Sequence, residues 1–273
     1  MFNFFNDLDP DLREALIVQL RNLWTHTSTA IEGNTLTLGE TAFVLQEGLT
    51  ISGKPLKDHQ EVVGHARAID LLYDCLEKGK AFSESELFAL HKAVQTEVIV
   101  DVYKPVGDWK KEPNSTAGMV NGRQVIFEYA TPNDIPLLME RWFTLLNQFN
   151  LAVRPGDTRQ ALSAYVQLHV SFVRIHPFFD GNGRLARLVA NIPVLKAGLP
   201  PIIIKRELRK AYIDALSEYH FRAGQIKAGD QLLPKPEKLR PFTELCEKAW
   251  QATVSLVEAA REKQRLRKQV KAK

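Results

Sequence analysis

Apolar residues recur at three- and four-residue steps along almost all of this 273-residue chain, and alternate in one short stretch alone. That pattern commits the chain to a helical core. A 3.6-residue period gathers such positions on one stripe, whereas a half-buried strand needs a period of two. Asp9-Pro10 opens the first helix, with Asp as N-cap and Pro at the first helical position. Leu12, Ala15, Leu16, Leu20 and Leu23 form its stripe, and Gly33-Asn34 stops it. Thr37 with Glu40, and Ser83 with Glu86, have the spacing of capping boxes and start two more. Further helices are predicted over 59–76, 135–149, 160–175, 185–195, 208–219 and 242–263.

The alternating stretch is Met119-Val120, then Asn121-Gly122, then Val125, Ile126 and Phe127, which reads as a hairpin with an Asn-Gly turn. A lone hairpin is marginal in water, so it must lean on the helices or on a partner strand. No internal repeat and no Gly/Ser linker divides the chain. The predicted fold class is all-α: a helical bundle with one short β-hairpin. It parses into an N-terminal helical segment (1–36), a core (37–234) and a C-terminal helical segment (235–273) entered at Pro234-Lys235-Pro236.

Composition excludes several classes. No run of about 18 apolar residues exists, so no membrane-spanning helix is expected. The opening MFNFFNDLDP lacks the basic and apolar regions of a secretory signal. Cys75 and Cys246 make neither a disulfide framework nor a zinc site, and read as small buried hydrophobes in a reducing, cytoplasmic setting. The formal charge of +4 misleads, because residues 261–273 alone carry a net +6 and leave −2 for the body. The body is therefore no basic nucleic-acid surface. The tail lacks interleaved aromatics and reads as a solvated, fraying helix end.

Chemistry concentrates at Arg174-Ile-His-Pro-Phe-Phe-Asp-Gly-Asn-Gly-Arg-Leu-Ala-Arg187. The helix must stop before Pro177, which holds His176 at a helix end. His176 is the only proton acceptor here that titrates near neutrality. One of Phe178 and Phe179 must plug into the core. Gly181-Asn182-Gly183 is a permissive turn opening into a helix, whose free N–H groups suit an anion. Arg184 and Arg187 share a helix face, and two guanidiniums beside such a turn suit a polyphosphate. Asp180, just before the turn, can hold Mg²⁺ that also binds phosphate. The conjunction is a phosphate cradle with a metal site and a base beside it, fit for displacement at phosphorus.

HPFFDGNGRLAR resembles the Fic (Fido) family motif, His-Pro-Phe-x-Asp/Glu-Gly-Asn-Gly-Arg-x-x-Arg, at every specified position. The resemblance extends over about residues 38–242 and implies a helical Fic core with one hairpin flap. It implies transfer of AMP from ATP to a Ser, Thr or Tyr hydroxyl of a target protein. His176 would be the general base and Asp180 would hold Mg²⁺ against the α- and β-phosphates. The N–H groups of Gly181, Asn182 and Gly183 would form the anion hole, Arg184 would take the α/β-phosphates, and Arg187 the γ-phosphate. Phe178 would pack in the core. Tyr212 would pack on the adenine, with Tyr219 behind it. Ser28-Thr-Ala-Ile-Glu32-Gly33 resembles the family's inhibitory motif, in which Glu32 would form a bidentate ion pair with Arg187 and shut out the γ-phosphate. The flap, residues 118–129, would clamp the target's extended segment by strand addition. Self-association is expected, without a placed interface.

Two features are read without a partner. Pro193 should kink or end the helix that starts near Arg184. His26, His59, His65, His91, His169 and His220 read as residues of ordinary helix faces. Other readings of the pocket stay open at this point. One is removal of AMP from a modified protein, with Glu32 orienting water. Another is a non-catalytic nucleotide sensor or a DNA-contacting regulator using the basic tail.

Overall fold

The computed structural model describes residues 3–95, 104–120 and 122–271. After a short 3-10 turn, the elements run α1 (Pro10–Ile31), α2 (Leu38–Glu47), α3 (Leu56–Glu77), α4 (Glu84–Val94), β1 (Ser115–Val120) and β2 (Arg123–Glu128). They continue with α5 (Ile135–Ala152), α6 (Thr158–Ile175), α7 (Asn182–Val189), α8 (Ile192–Lys196), α9 (Arg209–Ala223) and α10 (Arg240–Lys271).

The caps read from sequence mostly do their work. Thr37 Oγ1 accepts from the Glu40 N–H at 3.2 Å while the Glu40 carboxylate accepts from the Thr37 N–H at 2.8 Å. Asp157, not singled out from the sequence, caps α6 by accepting from the Gln160 N–H at 3.0 Å. Asp9 stands at the N-cap of α1 without capping it through its side chain. Its N–H instead donates to Gln264 Oε1 at 2.7 Å, on α10.

α6 is the axis of the core. It packs against α5, α7, α8 and α10, and Leu168, Val170, Phe172 and Ile175 along it are fully buried. The Trp142 indole on α5 donates to its Leu168 carbonyl at 3.0 Å. One apolar cluster runs from Phe4 and Trp24 near the start to Trp250 and Val257 in α10. The first and last helices thus share the core of the middle segment. Cys75 and Cys246 are buried and free. Among the described residues, no helix is long and apolar enough to cross a membrane.

The break at Pro193 is real. α7 ends at Val189 and α8 starts at Ile192 with Pro193 in its first turn. Asn191 repairs the gap: its amide donates to the Arg187 and Ile202 carbonyls at 3.0 Å each and accepts from the Ile202 N–H at 2.7 Å. The hairpin pairs antiparallel with Ala117 opposite Ile126, and its strands extend beyond the alternating core read from sequence. Asn121 of the expected turn lies outside the described residues; Gly122 has φ 75°. The hairpin leans on α9 at Gly118, where a Cβ would come 2.6 Å from the Phe127 ring and 3.0 Å from Ser217 Oγ.

The basic tail is solvated as expected, with only Gln264 buried over residues 261–270, but it stays helical. α10 continues to Lys271, and Arg267 pairs with Asp11 at 2.7 Å, back at the start of α1.

Candidate active site

Pro177 forces α6 to stop, and His176 takes the C-cap in the left-handed region at φ 55° and ψ 61°. Its Nδ1 lies 3.2 Å from the Val173 carbonyl. A carbonyl only accepts, so Nδ1 carries the proton and Nε2 keeps its lone pair. Burial, and next the positive charge of Lys110, push the His176 pKa down to about 3. The imidazole is therefore neutral at physiological pH.

The loop that follows is pinned from both sides. Phe178 is fully buried, stacked on His91 with ring centroids 3.9 Å apart. Asn182 turns its side chain back into the loop, accepting from the Phe178 N–H at 3.0 Å and donating to the Phe178 carbonyl at 2.8 Å. Gly181 stands at φ 80° as the N-cap of α7, so the helix opens at the turn and aims its first N–H groups outward.

The two arginines are buried rather than solvated, at 7% and 2% exposure. Arg184 Nη1 donates to the Val94 carbonyl at 2.9 Å, and its Nη2 reaches Gln95 Oε1 at 2.8 Å and Asp180 Oδ2 at 3.1 Å. Arg187 points the other way, into α1. Its Nε donates to Ser28 Oγ at 3.0 Å and Nη2 to the Ser28 carbonyl at 2.9 Å. Nη2 also meets Glu32 Oε1 at 2.6 Å. The expected bidentate pair is thus a single contact, because Ser28 already occupies the rest of that edge. Glu32 is the C-cap of α1, and Gly33 follows at φ 108° to turn the chain away. The Glu32 carboxylate overhangs the glycine turn: a Cβ on Gly183 would come 2.7 Å from its Oε1.

Glu32, His176, Asp180, Asn182, Gly183, Arg187 and Tyr212 line one cavity of about 270 Å³, roofed by Thr116, Phe127 and Tyr129 of the hairpin. Tyr212 is in the wall, but its hydroxyl is committed: it accepts from Arg187 Nη1 at 3.2 Å and donates to His169 Nε2 at 3.2 Å. Tyr219 is not in the wall. Its hydroxyl donates to the Pro234 carbonyl at 2.8 Å, where it ties α9 to the following segment.

Several residues read as ordinary prove to support the site. His91 donates from Nε2 to the Asp180 carbonyl at 3.2 Å and accepts at Nδ1 from the Gly107 N–H at 2.9 Å. Burial pushes its pKa down to about 4. His220 lines the cavity, and His59 staples the α2–α3 loop by accepting from the Ile51 N–H at 2.8 Å. Gln95 bridges Arg184 and Asp180. His91 and Gln95 are four residues apart at the end of α4, a shared-face spacing visible in sequence, but nothing there says what the face meets. Tyr129 and Lys110 left no signal: Tyr129 stacks flat on His176, with centroids 3.6 Å apart and planes 7° from parallel.

The chain is similar to known proteins over the region that carries this cavity. Residues 81–193 match the Fic/DOC family. The Caenorhabditis elegans protein adenylyltransferase fic-1 is 32% identical over 198 residues, 71% of this chain and 35% of that protein. The Drosophila erecta protein adenylyltransferase Fic is 30% identical over 196 residues, again 71% of this chain and 35% of that protein. The chain therefore spans about a third of the length of these relatives. A solved Fic domain-containing signalling protein from Bacteroides thetaiotaomicron superposes with a TM-score of 0.77 at 27% identity, covering 93% of this chain and 92% of that one. A solved fragment of Caenorhabditis elegans Fic-1 gives a TM-score of 0.71 at 26% identity, covering 95% of this chain and 69% of that one.

Proposed function

Because the chain belongs to the Fic/DOC family through its residues 81–193, we propose that it is a protein adenylyltransferase, moving AMP from ATP to a hydroxyl side chain of a target protein and restrained by its own Glu32. The observation that carries this reading is that a neutral imidazole, a helix-opening glycine turn and a buried guanidinium line one cavity. His176 Nε2 takes the proton of the target hydroxyl. The freed oxygen attacks the α-phosphorus, and pyrophosphate leaves with the bonding pair in line with the attack. The N–H groups of Gly181, Asn182 and Gly183 meet the phosphate charge as it grows. Arg184 serves the α/β-phosphates and Arg187 the γ-phosphate.

Asp180 fits a metal on the chemistry of its donor set. Its carboxylate is 66% exposed beside the turn. A single hard oxygen donor of that kind suits Mg²⁺ completed by phosphate oxygens and water, and the ion would offset charge on the α- and β-phosphates. Buried free cysteines suit a reducing compartment such as the cytoplasm. Met119 and Ile126 stand 61% and 69% exposed on the hairpin, and a target segment adds there as a further strand.

Glu32 restrains the transfer by occupying the fork that the γ-phosphate needs. Incubating the chain with ATP and Mg²⁺ and weighing it intact tests both parts. Glu32→Gly gains one AMP on itself or passes labelled AMP to a protein in a lysate, and adding His176→Ala abolishes this. No AMP transfer from the Glu32→Gly chain overturns the reading. A second reading rests on the same overhanging carboxylate: Glu32 orients a water that removes AMP from a modified protein. AMP release that stops on Glu32→Gly favours it.

A further inference from the structure

Lys110 is a buried cation beside the site that the transfer chemistry leaves without a task. It is 2% exposed, in the segment that leads into β1. Its Nζ donates to Asn114 Oδ1 at 2.5 Å and lies 5.8 Å from the centre of the Tyr129 ring, and among the described residues it pairs with no carboxylate. An unpaired buried ammonium is costly, so its surroundings must account for it.

Two contacts do so. An ammonium can only donate, so it selects Asn114 Oδ1 and turns Nδ2 toward the Phe178 and Phe179 carbonyls, at 3.2 and 3.3 Å. The Lys110 N–H itself donates to the Pro177 carbonyl at 3.0 Å. Lys110 thereby fastens residues 177–179 of the motif loop. The second contact is Tyr129, whose N–H donates to the Asn114 carbonyl at 3.3 Å and whose ring stacks on His176. A cation near this stack acts on the imidazole through a dry, low-dielectric path.

The groups that face His176 are few. They are Tyr129 after β2, Lys110 before β1, His220 on α9, and Asp180 in the motif loop. Asn114 and Tyr129 face Lys110. His220 is neutral, since burial pushes its pKa down to about 4. Asp180 favours an imidazolium, and Lys110 opposes one.

We propose that Lys110 is a positioning residue that governs the base. Protonated, it repels the imidazolium that His176 must become; deprotonated, it lets His176 accept the target's proton. The proposal rests on His176 being the base of the transfer reading. Burial pushes the Lys110 pKa down to about 7, so this change of state falls in the physiological range.

The test compares pH profiles of AMP transfer at saturating ATP, in full-length Glu32→Gly chains that carry Lys110, Lys110→Met or Lys110→Arg. With Lys110, kcat rises through an acid limb near pH 7. Lys110→Met loses that limb between pH 6 and 8. Lys110→Arg, permanently charged, is about tenfold slower at pH 8 with KM for ATP unchanged. A merely structural lysine would lower all rates at every pH. A Met variant that keeps the limb overturns the proposal. If that variant does not fold, the unmodified chain decides by itself. Its His176 ring resonances must show an inflection between pH 6 and 8 as Lys110 titrates, and a flat response overturns the proposal. That NMR titration needs no nucleotide or target, so its failure is distinct from failure of AMP transfer.

Discussion

Replacing Glu32 by Gly is the sharpest perturbation available, because it deletes one ion pair and leaves the arginine largely satisfied. Arg187 keeps Ser28 Oγ, the Ser28 carbonyl and the Tyr212 hydroxyl as partners when Glu32 goes. What disappears is the 2.6 Å pair between Nη2 and Oε1. Two unit charges about 4 Å apart attract by about 4 kcal/mol at an effective dielectric of about 20. The Glu32 side chain is 40% exposed, so solvent screening cuts this to about 2 kcal/mol. A γ-phosphate entering the fork must displace that much, and its removal raises productive ATP binding about 30-fold. The assay is the initial rate of AMP incorporation, by intact mass or with labelled ATP, at nucleotide below saturation. The melting temperature should fall by about 4–8 °C, as expected for about 2 kcal/mol in a chain of this size. A Glu32→Gly chain that stays folded and shows no gain in rate would refute the reasoning, since the carboxylate would then not compete with phosphate.

Other outcomes follow from the same geometry. In the Glu32→Gly chain, Ser28→Ala removes the acceptor of Arg187 Nε that holds the fork in place, so incorporation should fall by about threefold relative to Glu32→Gly alone. Asn182→Ala strands the buried N–H of Phe178, whose carbonyl keeps Asn114 Nδ2, and should cost about 2 kcal/mol and lower the melting temperature by about 4–8 °C, measured calorimetrically. Acid should destabilise the fold steeply. The pKa values of His176, His91 and His220 are pushed down to about 3, 4 and 4, and those of buried His65 and His169 also lie well below normal. The unfolded chain therefore binds more protons than the folded one below pH 6.5, and each histidine removes about 1.4 kcal/mol of stability per pH unit toward its folded pKa. The histidine contribution is complete above pH 6.5 and is lost as pH drops from there, so a melting temperature that stays level from pH 7 to pH 5 would count against this set of neutral histidines.

What could be read from the sequence was whatever acts over a few residues. Pro177 fixed the end of α6 and with it the place of His176, and the glycine turn fixed the start of α7. Pro193 announced a helix break two residues before it, at Asn191. What stayed hidden acts across the chain. Gln95 reaches Asp180 over 85 residues, and Arg267 reaches Asp11 over 256, so a solvated tail still pairs with the first helix. Tyr219 misled because it shares a helical face with Tyr212 at a spacing of seven. Two turns along α9 carry it from the cavity wall to Pro234. Lys110 and Tyr129 flank the hairpin, and no residue pattern links either to a histidine at the end of α6.

On the proposed reading, restraint and transfer share the Arg187 side chain. Its guanidinium is 2% exposed, so it must always have an anionic or carbonyl partner. α1 supplies two bonds from Ser28 that persist whatever happens at Glu32. Those bonds hold the fork in place, and the cost of burying it is met before any nucleotide arrives. The remaining bond is the exchangeable one, and it is made by the most exposed partner in the set, at a helix end that Gly33 lets the chain leave. Exchange of a carboxylate for a phosphate at that position then needs no unfolding of α1. It follows that a variant disturbing α1 as a whole should lose stability and restraint together, whereas Glu32→Gly should lose restraint at the stability cost of one ion pair.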